Sequence, residues 1–193
     1  MFALTLIIGH VFVIYLVMDV LVRYALTIMR LRKTHSYWAY RIGKLCHKLE
    51  HSGSIQVDPR DRVPFIANCI REFSKFVDVP VYSTRIKGTR IPMAGLYDYQ
   101  KQRIHLDPYR ISSGAYKRGL TSMHALTAWT LGLFIHEVRH WEQDQAGLLK
   151  GNGVDGITCS AEEYDINVLE VDAERTAYYA VRREFINYIK EVE

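Results

Sequence analysis

The sequence predicts an α+β protein, a small sheet packed among helices, preceded by an apolar N-terminal segment. Three observations point there. Apolar residues recur at helical spacing in several stretches of the 193-residue chain. Between two of those stretches, residues 79–106 are rich in Val, Ile and Tyr and are broken by a polar turn. The longest apolar run lies at the N-terminus, apart from the rest. Apolar residues make up 49% and charged residues 24%, the balance of a folded chain and not of a disordered one.

Phe2 to Met18 reads FALTLIIGHVFVIYLVM, with His10 its only readily ionisable side chain, and the run resumes through Val20-Leu21-Val22. About 17–21 apolar residues at 1.5 Å per residue reach across a bilayer core of ~30 Å. Residues 1–22 are therefore expected to form a transmembrane anchor. No basic segment precedes the run and no small-x-small site follows it, which disfavours a cleaved signal peptide. Arg23, Arg30, Arg32 and Lys33 follow, and the positive-inside bias places what comes after in the cytoplasm. The expectation is a single-pass membrane protein with its catalytic domain on the cytoplasmic side. The alternative is a helix buried in the protein or a partner, with Asp19 and Arg23 paired at i,i+4.

Residues 23–57 form a basic juxtamembrane segment and linker. Within it Ser36 to His51 sets Trp38, Ile42, Leu45 and Leu49 on one helical face, fit to lie on a membrane or to pack on the domain. Ser52-Gly53-Ser54 breaks this helix, and Asp58-Pro59 marks a turn, so the folded domain is expected over 58–193. Pro64 to Val77 reads as a helix with Phe65, Cys69, Phe73 and Phe76 as its inward stripe. Val79 to Lys87 is β-like, and Ala94 to Tyr99 with Arg103 to Leu106 reads as a hairpin around Gln100-Lys101-Gln102. Thr121 to Gln145 is a long helix, and 146–159 is a Gly-rich loop. Ser160 with Glu163 three residues on is a capping box that opens a last helix running to Lys190.

The net charge of +4 is mild and collects beside the apolar N-terminus, which suits lipid headgroups and argues against nucleic acid as a partner. Three widely spaced cysteines, Cys46, Cys69 and Cys159, make neither a disulfide framework nor a CxxC knuckle. No nucleophile elbow is present, and Gly151-Asn152-Gly153 lacks the Lys of a phosphate loop.

The chemistry lies in His136-Glu137-Val138-Arg139-His140. Two histidines four apart on a helix project from one face and can grip one Zn²⁺ at about 2.0–2.1 Å per nitrogen. Glu137 is turned about 100° away, where a carboxylate reaches the activated water without ligating the metal. A catalytic zinc needs a third ligand. No histidine follows His140, so that ligand must be an oxygen, and the last helix offers Glu170, Asp172 and Glu174. Glu170 and Glu174 share a face at i,i+4, while Asp172 points elsewhere. One of the two can bind the metal while the other orients a histidine N–H from behind.

HExxH on one helix, followed by Glu170 and Glu174 in LEVDAE on a later one, resembles the gluzincin pattern. That pattern is seen in thermolysin-like peptidases, in CAAX-protease/HtpX-like peptidases and in ImmA/IrrE-type minimal zincin domains. The resemblance covers residues ~94–180 by order of elements and rests on two short motifs. It implies a zincin-like minidomain with Zn²⁺ held by His136, His140 and Glu170, and with Glu174 supporting a ligand histidine. An Asp or Asn usually stands at the Glu174 position, so Glu174 is also the alternative ligand. Zincins commonly hold substrate as a strand added to a sheet edge, which the resemblance places at AGLYDY.

The expected function is that of a membrane-anchored zinc metallopeptidase acting on a peptide or protein, with Glu137 as general base. The alternatives are a zincin-fold sensor or binding domain that cleaves poorly or not at all, and a tethered structural protein with an accidental HExxH. His105 and His124 read as hydrogen-bonded filler more than as ligands. Tyr164, Tyr178 and Tyr179 are candidates to stabilise an oxyanion, none distinguished from the other tyrosines. Gln143, two turns after His136, either lines the site or faces solvent, and Trp129 and Leu133 pack the helix on the core.

Overall fold

Side-chain caps set where most of the helices begin. A computed structural model of the chain describes residues 34–87, 93–149 and 167–190, together with Leu21, Thr27 and Arg32. Helix α1 (His35–Glu50) starts at Thr34, whose Oγ1 accepts the Tyr37 N–H. Helix α2 (Arg62–Ser74) follows, and then strand β1 (Val81–Ser83). Strands β2 (Gly95–Asp98) and β3 (Arg103–Leu106) form the hairpin, with Gln102 in its turn at φ 46°. Asp107 then caps helix α3 (Pro108–Lys117), Ser122 caps α4 (Met123–Gln145) and Asn167 caps α5 (Val168–Glu184), each through a side-chain oxygen. A short helix α6 (Ile186–Lys190) closes the described chain.

The strands form one three-stranded sheet in the order β1-β3-β2, with β3 parallel to β1 and antiparallel to β2. Ile104 and Leu106 of β3 turn inward and are fully buried, while Arg103 and His105 face outward. Helix α4 is the spine of the fold. At Gly132 it runs so close to α1 and α5 that a Cβ there would stand 3.4 Å from Ile42 and 3.6 Å from Val181. The inward faces of α1 (Trp38, Ile42, Leu45, Cys46, Leu49) and of α5 (Ala173, Ala177, Tyr178, Val181) meet α4 in one buried core. Helix α1 thus packs as a core helix of the domain.

Several expectations are corrected. The transmembrane anchor over 1–22, and the single-pass membrane location built on it, are overturned: no helix among the described residues is long and apolar enough to cross a membrane. The longest, α4 at 23 residues, carries Glu137, Arg139, Glu142 and Asp144 in its second half, and α1 and α5 have only 16 and 17 residues. Residues 1–20 lie outside the described residues, as do Ser160 and Glu163 of the expected capping box. In α2 Phe65 and Phe73 of the expected stripe do pack on the core, half-buried, but the fully inward residues stand one position further on. Arg62, Ile66 and Ile70 are buried, whereas Phe76 lies beyond the helix and is 85% exposed. Ile66 and Ile70 stand one position after Phe65 and Cys69, so two adjacent faces of α2 are apolar and periodicity alone does not choose between them. Helix α3 is an element beyond those expected, and its signal is Asp107-Pro108, an N-cap followed by a proline at the first helical position.

Glu50, at the end of α1, holds the start of α4. Its Oε2 accepts the backbone N–H groups of Thr121 and Ser122 at 2.7 and 2.8 Å. Burial would raise its carboxyl, but these bonds and those from Thr121 and Gln56 side chains hold it below the ordinary value. A carboxyl depressed in the folded state adds stability that is present above its unfolded pKa of about 4.3 and is lost as pH falls through the folded value. Glu50→Gln should therefore lower Tm by about 2–4 °C at pH 7, for roughly 1 kcal/mol in a chain of this size. The gap from the parent should close in melts at progressively lower pH below 4.

Candidate metal centre

His136 and His140 share the inward face of α4 at one-turn spacing, and both are buried. The first turn of α5 brings Glu170 over them, and Glu170 is also buried. The closeness of the two helices is set by what lies further along α5: Ala173 and Ala177 face inward with no bulk to hold α4 away. The three groups converge. His136 Nε2 and His140 Nε2 are 3.0 Å apart, and the Glu170 oxygens lie 3.2 Å from His136 Nε2 and 3.4 Å from His140 Nε2. Donors placed about 2.0–2.1 Å from a tetrahedral zinc stand roughly 3.3 Å from one another, so the spacing fits a single ion.

The groups behind the histidines fix which nitrogen carries the proton. Glu174 Oε2 lies 2.7 Å from His136 Nδ1, and a carboxylate only accepts, so Nδ1–H is the donor. Gln143 Oε1 lies 2.9 Å from His140 Nδ1. The Gln143 amide is oriented by its own nitrogen, which donates to the Leu169 carbonyl at 3.0 Å and to Asp172 Oδ2 at 3.2 Å. Its oxygen must therefore accept from His140 Nδ1–H. Were both imidazoles neutral, their Nε2 lone pairs would face each other and the Glu170 carboxylate, whose Oε2 lies 3.2 Å from His136 Nε2. Three electron-rich groups facing one another out of water need a cation between them.

The charges agree. Burial would lower the pKa of His136, but Glu170 and Glu174 overcome it and hold the imidazolium well above its ordinary range. Burial would raise Glu170 and Glu174, and the facing histidines hold both carboxyls low instead. In the metal-free protein a proton on His136 supplies the missing positive charge.

Glu137 faces strand β2. It is buried, and that burial raises its carboxyl pKa, partly offset by the two imidazoles and by the Tyr97 backbone N–H that faces it. A Cβ at Gly95 would stand 2.8 Å from Glu137 Cγ and 2.9 Å from Cδ, so only glycine fits there.

The structure thus gathers His136, Glu137, His140, Glu170 and Glu174 at one place, with Glu170 on the side of the imidazole lone pairs and Glu174 behind His136. Gln143 is only 1% exposed and lies behind His140. Asp172, which points away from the imidazoles, accepts Arg139 Nε at 2.7 Å and ties α4 to α5. Other candidates lie elsewhere. His105 Nδ1 is 3.2 Å from Thr84 Oγ1 on the sheet, and His124 Nδ1 is 3.2 Å from Ser52 Oγ at the far end of α4. Tyr178 accepts Arg41 Nη2 at 2.6 Å, Tyr179 is largely exposed, and Tyr164 lies outside the described residues. Trp129 and Leu133 are half-buried against the core.

Sequence reasoning missed His35, whose Nε2 is 3.7 Å from Glu174 Oε2 and whose ring meets that of His136 edge-on. No spacing rule links residue 35 to a motif at 136. His35, His136 and Glu174 form a second group of suitable ligand types among the described residues. It competes with the first, because Glu174 already accepts the His136 Nδ1–H. No family model, curated protein or solved structure matches the chain.

At pH 7 the metal-free protein should take up one Zn²⁺ and release about one proton as it does so, because His136 is protonated beforehand. Calorimetry in buffers of different ionisation enthalpy measures that release. Glu170→Ala should abolish tight binding, whereas Glu174→Ala should weaken it by about 10–100-fold, as for loss of a group behind a ligand.

Proposed function

We propose that the chain is a zinc-dependent metallopeptidase with His136, His140 and Glu170 as metal ligands and Glu137 as general base. The observation that carries this reading is the convergence of His136 Nε2, His140 Nε2 and the Glu170 carboxylate in one buried cluster, with the separate Glu137 carboxylate beside it. Two His and one Glu with a further Glu alongside is the donor set of a hydrolytic zinc site of the gluzincin kind. Zinc held there supplies Lewis acidity toward a carbonyl and lowers the pKa of water toward ~7.

The chain's own residues supply the rest. Glu137 takes the proton of the attacking water and passes it to the leaving amine. Its pKa, raised by burial, moves toward the range where a carboxylate can both accept and return a proton near neutrality. Glu174 and Gln143 keep the imidazoles in the ligating tautomer. Strand β2, one of the two outer strands of the sheet, passes against Glu137 at Gly95 and so walls the base on one side. Glu137→Gln should abolish cleavage of an unfolded protein such as casein while one equivalent of zinc stays bound. Hydrolysis at the parent rate in that variant would refute the assignment.

A further inference from the structure

Strand β2 touches α4 at two points. Asp107 N–H donates to the Ala94 carbonyl at 2.9 Å, so Ala94, Leu96 and Asp98 turn their main-chain groups toward β3. Gly95 and Tyr97 therefore turn theirs to the outer edge. There the Tyr97 N–H faces the Glu137 carboxylate and lowers its pKa. The Tyr97 ring is buried, and its hydroxyl donates to Asp144 Oδ2 at 2.8 Å. Asp144 stands seven residues after Glu137, two turns along the same face of α4. One residue of the strand thus grips the helix twice, by its amide at the base and by its side chain two turns on.

We infer that Tyr97 and Asp144 are a positioning pair for the general base, setting the height of β2 along α4 so that the Tyr97 amide aims the Glu137 carboxylate. Four residues of strand with one neighbour have few bonds of their own to fix that height. The Tyr97 hydroxyl supplies a fixed point, and Gly95 removes the side chain that would hold the strand off. With one carboxylate oxygen facing the amide, the other is left for the reacting water. The hydroxyl itself touches neither ligand nor substrate. Its role rests on Glu137 being the base, but its effect on the strand does not.

Two measurements on the zinc-loaded chain separate these. Hydrogen exchange of the Tyr97 amide should be slow in the parent and about tenfold faster in Tyr97→Phe, in Asp144→Ala and in Glu137→Ala. In the first two variants kcat should fall by about tenfold, in line with a small misplacement of a reacting group, with KM and zinc affinity unchanged. The double variant should lose no more than either single one, since both remove the same bond. Unchanged exchange and unchanged kcat in Tyr97→Phe would overturn the proposal, as would additive losses in the double variant. A parent chain that binds zinc and cleaves nothing would sink the peptidase reading alone, leaving the exchange result to decide the positioning of Glu137.

Discussion

The approach of α5 to α4 is the constraint on which the rest of the molecule depends. Glu170 can meet His136 and His140 only if the two helices run close, and closeness is costly where it buries carboxylates and imidazoles together. Packing provides the means: Ala173, Ala177 and Val181 of α5 lie against α4, and Gly132 lets α1 press in from another side. The rim of the same interface is closed by charge. Asp172 accepts from Arg139 and Gln143 of α4 and from Arg175 of its own helix, so a single carboxylate fastens the two helices beside the site.

Orientation is a separate task from proximity, and different residues perform it. Gln143 has its oxygen committed to His140 because its nitrogen is committed to Leu169 and Asp172. The Arg139–Asp172 pair thereby reaches His140 without touching it. A surface ion pair of this kind contributes little to stability alone. Here its weight lies in fixing an amide, and through the amide a tautomer.

Much of the site was legible in the sequence because local geometry placed it. Residues four apart on a helix must share a face, which set His136 beside His140 and Glu170 near Glu174. What the pattern left open was which carboxylate faces the lone pairs, since that depends on the angle between α4 and α5. His35 and Tyr97 were not legible as site residues: each arrives from another element, by way of tertiary packing. The α2 stripe was legible in part: Phe65 and Phe73 do pack on the core, but Phe65 and Cys69 make a face as apolar as the more deeply buried Ile66 and Ile70. Hydropathy over 1–22 reads as a membrane span, yet no helix among the described residues is long and apolar enough to cross a membrane.

The close fit between β2 and α4 bears on how the chain keeps to itself. An outer strand with open donors and acceptors is a template on which another copy can add a strand and a sheet can grow. In β2 only Gly95 and Tyr97 turn their main chain outward, and both face Glu137, Gly95 at close approach. With so few open groups, and a buried carboxylate set among them, the edge is a poor seed for sheet-to-sheet aggregation. The contact beside the base also covers main chain that a second copy could otherwise pair with.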